Sequence, residues 1–70
     1  MFQYKDYQGS IEYSPEDGVH HGQVLGISDL VSYEADTIEA LQSAFRESVD
    51  DYLQFCEQEG LEPKRSAPSP

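Results

Sequence analysis

Basic residues are scarce in this 70-residue chain, which has four Lys and Arg against fourteen Asp and Glu. The formal charge of −10 is spread along the chain, and such a surface repels nucleic acid phosphates and anionic lipid. It favours rapid encounter with a basic protein. Taken alone, the charge is equally compatible with a basic partner and with a role in solubility only.

Cysteine and long apolar segments are also scarce. Cys56 is the single cysteine, which excludes an intramolecular disulfide and a cysteine-rich metal site and fits a reducing compartment. The sequence has no run of about 18 apolar residues, so it predicts no membrane span. The N-terminus lacks the charged-then-apolar order of a signal peptide. We therefore expect a cytoplasmic protein.

The length allows one small domain, whose core is expected to be compact. The hydrophobic fraction of 37%, with five Tyr and three Phe, is sufficient for such a core. A chain of this size buries only about 60% of the surface that its unfolded form exposes. Further stability is therefore expected from a partner or from a second copy, and the chain is predicted to be a homo-oligomer.

Four segments have the character of β-strands. Residues 2–7 form the first, and Gln8 and Gly9 are read as a turn or bulge. In residues 10–14, Ile11 and Tyr13 alternate with polar residues, which predicts a strand with one core-facing side. The sequence Pro-Glu-Asp-Gly at 15–18 predicts a hairpin turn to the strand at 19–25. Residues 31–34 form the last strand.

One long helix is predicted from Asp36 or Thr37 to about Glu59. Asp36 is the expected N-cap, with Glu39 completing a capping box, and Gly60 followed by Pro63 ends the helix. Apolar residues recur at helical spacing and predict one buried stripe. The stripe contains Ile38, Leu41, Phe45, Val49, Tyr52 and Cys56.

The order of these elements predicts an α+β fold, with an antiparallel sheet of three to four strands packed against one long helix. The domain is expected to span residues 1–62. Residues 63–70 have no apolar anchor and are interpreted as a linker or disordered tail.

Residue patterns that would carry chemistry are absent. His20 and His21 are adjacent in a strand and point to opposite faces, so they cannot bind one metal ion together. Cys56 lies on the apolar stripe, without a catalytic Cys-His signature. A nuclease of RNase H type would need three or four converging carboxylates and a divalent metal, and Asp51 is the residue that would test it. We expect no metal, no cofactor and no enzymatic activity.

The ordered set of segments resembles the HicB-like antitoxins over about residues 4–64. The resemblance rests on YKDYQGSIEYS at 4–14, EDGV at 16–19, GQVLGI at 22–27, DLVSYE at 29–34, DTIEAL at 36–41, FRESVDDYL at 45–53 and CEQEGLEP at 56–63. Ala35 stands where glycine is frequent in the family, which affects a turn only.

This resemblance implies a degraded RNase H-like unit without the catalytic carboxylates. It implies an antitoxin that binds a small basic HicA-type toxin, an mRNA-cleaving ribonuclease, and blocks its active site. Family members often carry a C-terminal DNA-binding segment, and we expect contact with DNA only through such a segment, which residues 1–70 do not include. The alternative hypothesis is therefore a regulatory or oligomerisation domain of a transcriptional autorepressor.

Exposed acids and one aromatic residue are the candidate contacts with the partner. They are Glu12, Tyr13, Glu16, Asp17, Asp50 and Glu57.

Overall fold

The computed structural model describes residues 1–27 and 29–63 and confirms the α+β fold class. The elements are β1 (Phe2–Tyr4), β2 (Tyr7–Gly9), β3 (Glu12–Ser14), β4 (Val19–Gln23), β5 (Ser32–Ala35) and α1 (Ile38–Glu59). A two-stranded sheet contains β1 and β2, and a three-stranded sheet has the order β3-β4-β5, all antiparallel. Residues 64–70, most of the predicted tail, lie outside the described residues.

The two sheets are joined at Ser10. Its backbone N–H donates to the Gln23 carbonyl at 3.0 Å, and its hydroxyl oxygen accepts the Gln23 N–H at 2.9 Å. Beyond this point Gly9 pairs with Val24, in the same register in which β3 pairs with β4. The segment that contains β2 and β3 therefore pairs with one continuous segment, which consists of β4 and the following residue Val24.

The first turn differs from the prediction. Residues 2–7 do not form one strand, because the chain reverses at Lys5 and Asp6, between the paired residues Tyr4 and Tyr7. Lys5 and Asp6 both have positive φ, 50° and 67°, which is the backbone geometry of a two-residue hairpin with the right-handed twist of its strands. Gln8 and Gly9 lie inside β2 instead. Neither Lys5 nor Asp6 is glycine or asparagine, so the sequence gives little signal for this turn.

The long helix packs its apolar stripe against the sheets. Leu41, Phe45, Val49, Tyr52 and Cys56 are buried as predicted, together with Phe2, Tyr7, Val24 and Tyr33 from the strand side. The Phe45 ring lies 5.7 Å from the Phe2 ring and 5.5 Å from the Tyr33 ring, between centroids. This aromatic cluster is the centre of the core.

Three residues that the sequence predicted to face the core lie at its margin. Ile38 is 44% exposed in the first turn of α1, and Ile11 and Tyr13 are also exposed. The core-facing side predicted for Ile11 and Tyr13 is therefore wrong, because the helix packs mainly against β5, β4 and β1 and does not cover this end of the sheet. Periodicity identifies which residues share a face and does not show how far the covering layer extends.

The N-cap of α1 is Thr37 and not Asp36. Thr37 has extended backbone angles, φ −129° and ψ 160°, and its hydroxyl oxygen accepts the Ala40 N–H at 3.1 Å. With Thr37 as the cap, the third helical position is Ala40, so Glu39 does not form the predicted capping box. Glu39 still places a negative charge near the N-terminus of the helix, where it is favourable.

Alanine substitutions should show whether Thr37 or Asp36 is the N-cap of α1. We expect Thr37→Ala to lower the free energy of unfolding by about 1 kcal/mol, because the Ala40 N–H loses its acceptor. Asp36→Ala is the control, with a change of only about a few tenths of a kcal/mol. Urea denaturation followed by circular dichroism measures both values. A larger loss in the free energy of unfolding from Asp36→Ala than from Thr37→Ala would contradict the assignment of Thr37 as the N-cap.

Burial of Tyr33 predicts a loss of stability at alkaline pH. Burial raises the pKa of Tyr33 to about 12, and its hydroxyl donates to the Ser10 carbonyl at 2.8 Å. An unfolded tyrosine has a pKa of about 10. The folded state therefore holds the phenol proton more tightly than the unfolded state. The resulting contribution of Tyr33 to the free energy of unfolding is fully present below about pH 10 and is lost as the pH rises towards 12.

Tyr33→Phe should remove this part of the alkaline loss. Urea denaturation at about pH 9 and at about pH 11.5 measures the free energy of unfolding at each pH. Between these two values it should fall less for the variant than for the wild type. Tyr13→Phe serves as the matched control, because Tyr13 is 54% exposed. An equal drop in the wild type and in Tyr33→Phe would show that Tyr33 is not responsible.

A candidate partner-binding surface

Four of the predicted contact residues lie on the hairpin formed by β3 and β4. Glu12 and Tyr13 are exposed on β3, and Glu16 and Asp17 are exposed in the turn that follows. Gly18 closes the turn with φ 67°, and its N–H donates to the Ser14 carbonyl at 2.8 Å. The structure brings these four residues together on one hairpin, as their short separation in sequence requires.

The two histidines lie on opposite faces of this hairpin, as predicted. His20 pairs with Tyr13, and their ring centroids are 4.8 Å apart. His21 pairs with Glu12 on the other face, with 3.7 Å between Nδ1 and a carboxylate oxygen. The distance is that of a weak surface ion pair, formed only when the histidine is protonated.

Asp50 lies elsewhere, on the side of α1 that faces β1. The Lys5 ammonium donates to its carboxylate at 3.0 Å, and the Tyr4 hydroxyl donates to the same carboxylate at 3.2 Å. The hydrogen bond from Lys5 lowers the pKa of Asp50, and the same bond raises the pKa of Lys5. Both side chains are about half exposed, so the pair contributes little to stability.

Lys5 and Arg46, the two basic side chains of the described residues, both lie at this position. The Arg46 guanidinium lies 5.8 Å from the centre of the Tyr4 ring, and the Lys5 ammonium lies 5.1 Å from it. Among residues 1–27 and 29–63 the sequence contains no other Lys or Arg. The remainder of the described surface therefore carries acidic residues without a Lys or Arg between them.

Glu57 follows Asp50 by seven residues, which is two helical turns, and so lies on the same side of α1. It is exposed. The six predicted contact residues thus belong to two separate regions, the β3–β4 hairpin and the β1-facing side of the helix.

On its other side, α1 forms a groove with the segment that leads into β5. We call it the α1 groove; its cavity volume is about 480 Å³. It is lined by Asp29, Leu30, Val31, Ser48, Asp51, Tyr52 and Phe55. Leu30 is 79% exposed and Phe55 is 50% exposed, so two large apolar side chains face solvent beside two carboxylates.

The α1 groove meets the free edge of the three-stranded sheet. Val31 lines the groove and directly precedes β5, and β5 is paired only with β4 in the part of the chain that the structure describes. On the face of the sheet opposite α1, a shallow depression of about 370 Å³ is lined by β4 and β5, with Glu34 and His21 among its residues. Acidic side chains therefore lie near β5 on both faces of the sheet.

No metal centre is formed within the described residues. No three His, Cys, Asp or Glu side chains in residues 1–27 and 29–63 lie together in a way that would hold a metal ion. Cys56 is buried with a free thiol, as its place on the apolar stripe predicts. In the same residues, no helix is long and apolar enough to cross a membrane.

Searches of protein-family models, curated proteins and solved structures gave no match to this chain. The function is therefore inferred from the surface itself. That surface contains an acidic hairpin, a position where the two cations are gathered, and an apolar groove between acidic residues next to an open strand edge.

The amino-acid sequence alone does not predict the α1 groove. Phe55 falls beside the apolar stripe and not within it, and Leu30 is one of several apolar residues in the connection between β4 and β5. Each is ordinary by itself, since isolated exposed apolar residues are normal. Only the packing of α1 against the chain before β5 brings them together. A weak signal was available: Phe55 is a large apolar residue that the helical stripe does not require.

Proposed function

We propose that this chain is a HicB-like antitoxin domain, which binds a small basic HicA-type ribonuclease and blocks its mRNA-cleaving site. The RNase H-like relationship and the cytoplasmic location belong to the same proposal, the latter because the single cysteine is compatible with a reducing compartment. The domain acts by occupying a surface of its partner and performs no chemistry of its own.

The observation that carries the proposal is the distribution of charge and apolar surface. Lys5 and Arg46 lie around Tyr4 and Asp50, whereas Leu30 and Phe55 are exposed beside carboxylates on the other side of α1. Exposed apolar side chains among charges of one sign are typical of a binding surface for a partner of the opposite charge. The exposed hairpin residues Glu12, Tyr13, Glu16 and Asp17 form a proposed second region of contact.

Asp50 has a different role in this proposal. It already accepts hydrogen bonds from Lys5 and Tyr4, so using it for the partner would require these bonds to be broken. We propose that it connects α1 to β1. Glu57, on the same side, is a peripheral contact at most.

Co-expression with a small basic HicA-type ribonuclease encoded beside this chain tests the proposal. The ribonuclease alone should arrest growth, and co-expression of the chain should restore it, with the two proteins copurifying. If neither copurification nor restored growth occurs while both proteins are present and folded, the proposal is wrong.

The open edge of β5 favours a second candidate, the regulatory or oligomerisation domain of an autorepressor. Strand edges of two copies can pair to form a continuous sheet. Light scattering of the purified chain distinguishes the candidates: a dimer that does not bind a basic partner would support this second one. Repulsion between two chains of charge −10 each argues against it.

A further inference from the structure

The outward groups of β5 can be assigned from its pairing with β4. The Val24 N–H donates to the Val31 carbonyl at 2.9 Å, so these opposed residues form a hydrogen-bonded pair. Along an antiparallel ladder such pairs alternate with pairs that exchange no bonds. Tyr33 and Ala35 therefore bond to β4, whereas the backbone N–H and C=O groups of Ser32 and Glu34 point away from it.

We propose that β5 receives an extended segment of the partner as an additional antiparallel or parallel strand, with one apolar side chain of that segment in the α1 groove. Peptides add to free strand edges through backbone hydrogen bonds, and specificity comes from pockets for alternate side chains. Ser32 and Glu34 supply the backbone groups. This inference rests on the proposed function, because the segment belongs to the basic protein named there.

The faces of the sheet define the chemistry of the added strand. Tyr33 faces α1 and is buried, so its neighbours Ser32 and Glu34 have side chains on the opposite, open face. Side chains of the added strand that point towards α1 meet Leu30 and Phe55 and are expected to be apolar. Those on the open face lie beside Glu34 and are expected to be Lys or Arg, since opposite charges on adjacent strands are favourable.

Charge selects a basic partner over a second copy. If two copies paired through β5, two Glu34 side chains would lie on one sheet face, and the acids of two α1 grooves, Asp29 and Asp51, would approach each other. A basic strand replaces these repulsions with attraction, and it also removes Leu30 and Phe55 from water. The described part of β5 contains no Lys or Pro, which commonly protect an edge strand from pairing.

The groove can be tested with a matched pair of variants. Phe55→Glu adds a charge inside the α1 groove, and Gln54→Glu adds the same charge at the neighbouring exposed position, which lies about 100° around the helix and does not line the groove. We expect Phe55→Glu to weaken binding of the purified basic ribonuclease by about 30-fold or more, as expected for a central interface residue, and Gln54→Glu by less than about threefold. Circular dichroism confirms that each variant is folded.

Hydrogen exchange followed by NMR tests the strand. In the complex, the amides of Ser32 and Glu34 should exchange at least about tenfold more slowly than in the free chain, because each gains a partner. If the wild type binds but Phe55→Glu binds equally well, or if the two amides exchange as they do in the free chain, this mode of docking is wrong. If the wild-type chain does not bind the ribonuclease, the proposed function fails and the inference fails with it.

Discussion

Gly22→Ala should lower the free energy of unfolding by about 3 kcal/mol, the upper end of the usual cost of forcing extra atoms into a packed site. Gly22 is buried in β4, and a Cβ atom there would overlap the Ser10 carbonyl oxygen. It would also lie 2.8 Å from the Tyr33 hydroxyl oxygen. The carbonyl belongs to the backbone that joins the two sheets, so it cannot move away without breaking the bonds at Ser10.

Gly18→Ala is the control for this prediction. Gly18 has φ 67°, but a Cβ atom there would have no neighbour within 4 Å. The cost should be limited to the backbone strain of a non-glycine residue in the left-handed region, about 1 kcal/mol. Urea denaturation compares the two variants. Equal losses would show that the Ser10 carbonyl does not restrict the space at Gly22.

Phe45→Ala should have the largest effect of any single truncation in the helix. Phe45 is fully buried and its ring contacts the rings of Phe2 and Tyr33. Removing a buried Phe side chain costs about 3–5 kcal/mol, from lost burial and from the cavity that remains. A domain of this size is stable by about 4–10 kcal/mol in total. The variant is therefore expected to be largely unfolded at moderate urea concentration.

Phe55→Ala provides the matched comparison, since it is the same truncation in the same helix. Phe55 is 50% exposed in the α1 groove, so the expected loss is below about 1 kcal/mol. Thermal or urea unfolding of both variants tests the assignment of faces. If Phe55→Ala is as destabilising as Phe45→Ala, Phe55 belongs to the core and is not available to a partner.

The sequence was sufficient for the helix and for the fold class. The spacing of Leu41, Phe45, Val49 and Tyr52 requires one helical face, and Gly60 supplies the left-handed position that ends the helix, with φ 67°. These signals are local and repeated over several turns. The sequence therefore determined them without knowledge of the packing.

Single-residue choices were harder to predict. Asp36 and Thr37 are both good N-caps, and which one is used depends on where the chain leaves β5. The turn at Lys5 and Asp6 has no glycine, so its position follows from the pairing of Tyr4 with Tyr7. The α1 groove depends on contacts between segments about 20 residues apart along the chain, which no local pattern contains.

The surroundings of the candidate contact residues were also not predictable from local sequence patterns. The exposed acids were identified from sequence, but their neighbours were not. Asp50 is paired with Lys5, whereas Asp51, the next residue, lines the α1 groove beside Phe55. A helix turns by about 100° per residue, so adjacent carboxylates can face different surroundings. Charge patterning is the basis for proposing a basic partner, and packing is the basis for the proposed place at which it binds.

Calorimetric titration of the purified chain with a small basic HicA-type ribonuclease tests the proposed binding most directly. We expect a saturable complex whose Kd rises at least about tenfold between about 50 and 300 mM NaCl, because opposite charges bring the two proteins together. Absence of binding at low salt, or a Kd that does not change with salt, would contradict the view that this acidic domain works by binding a basic protein.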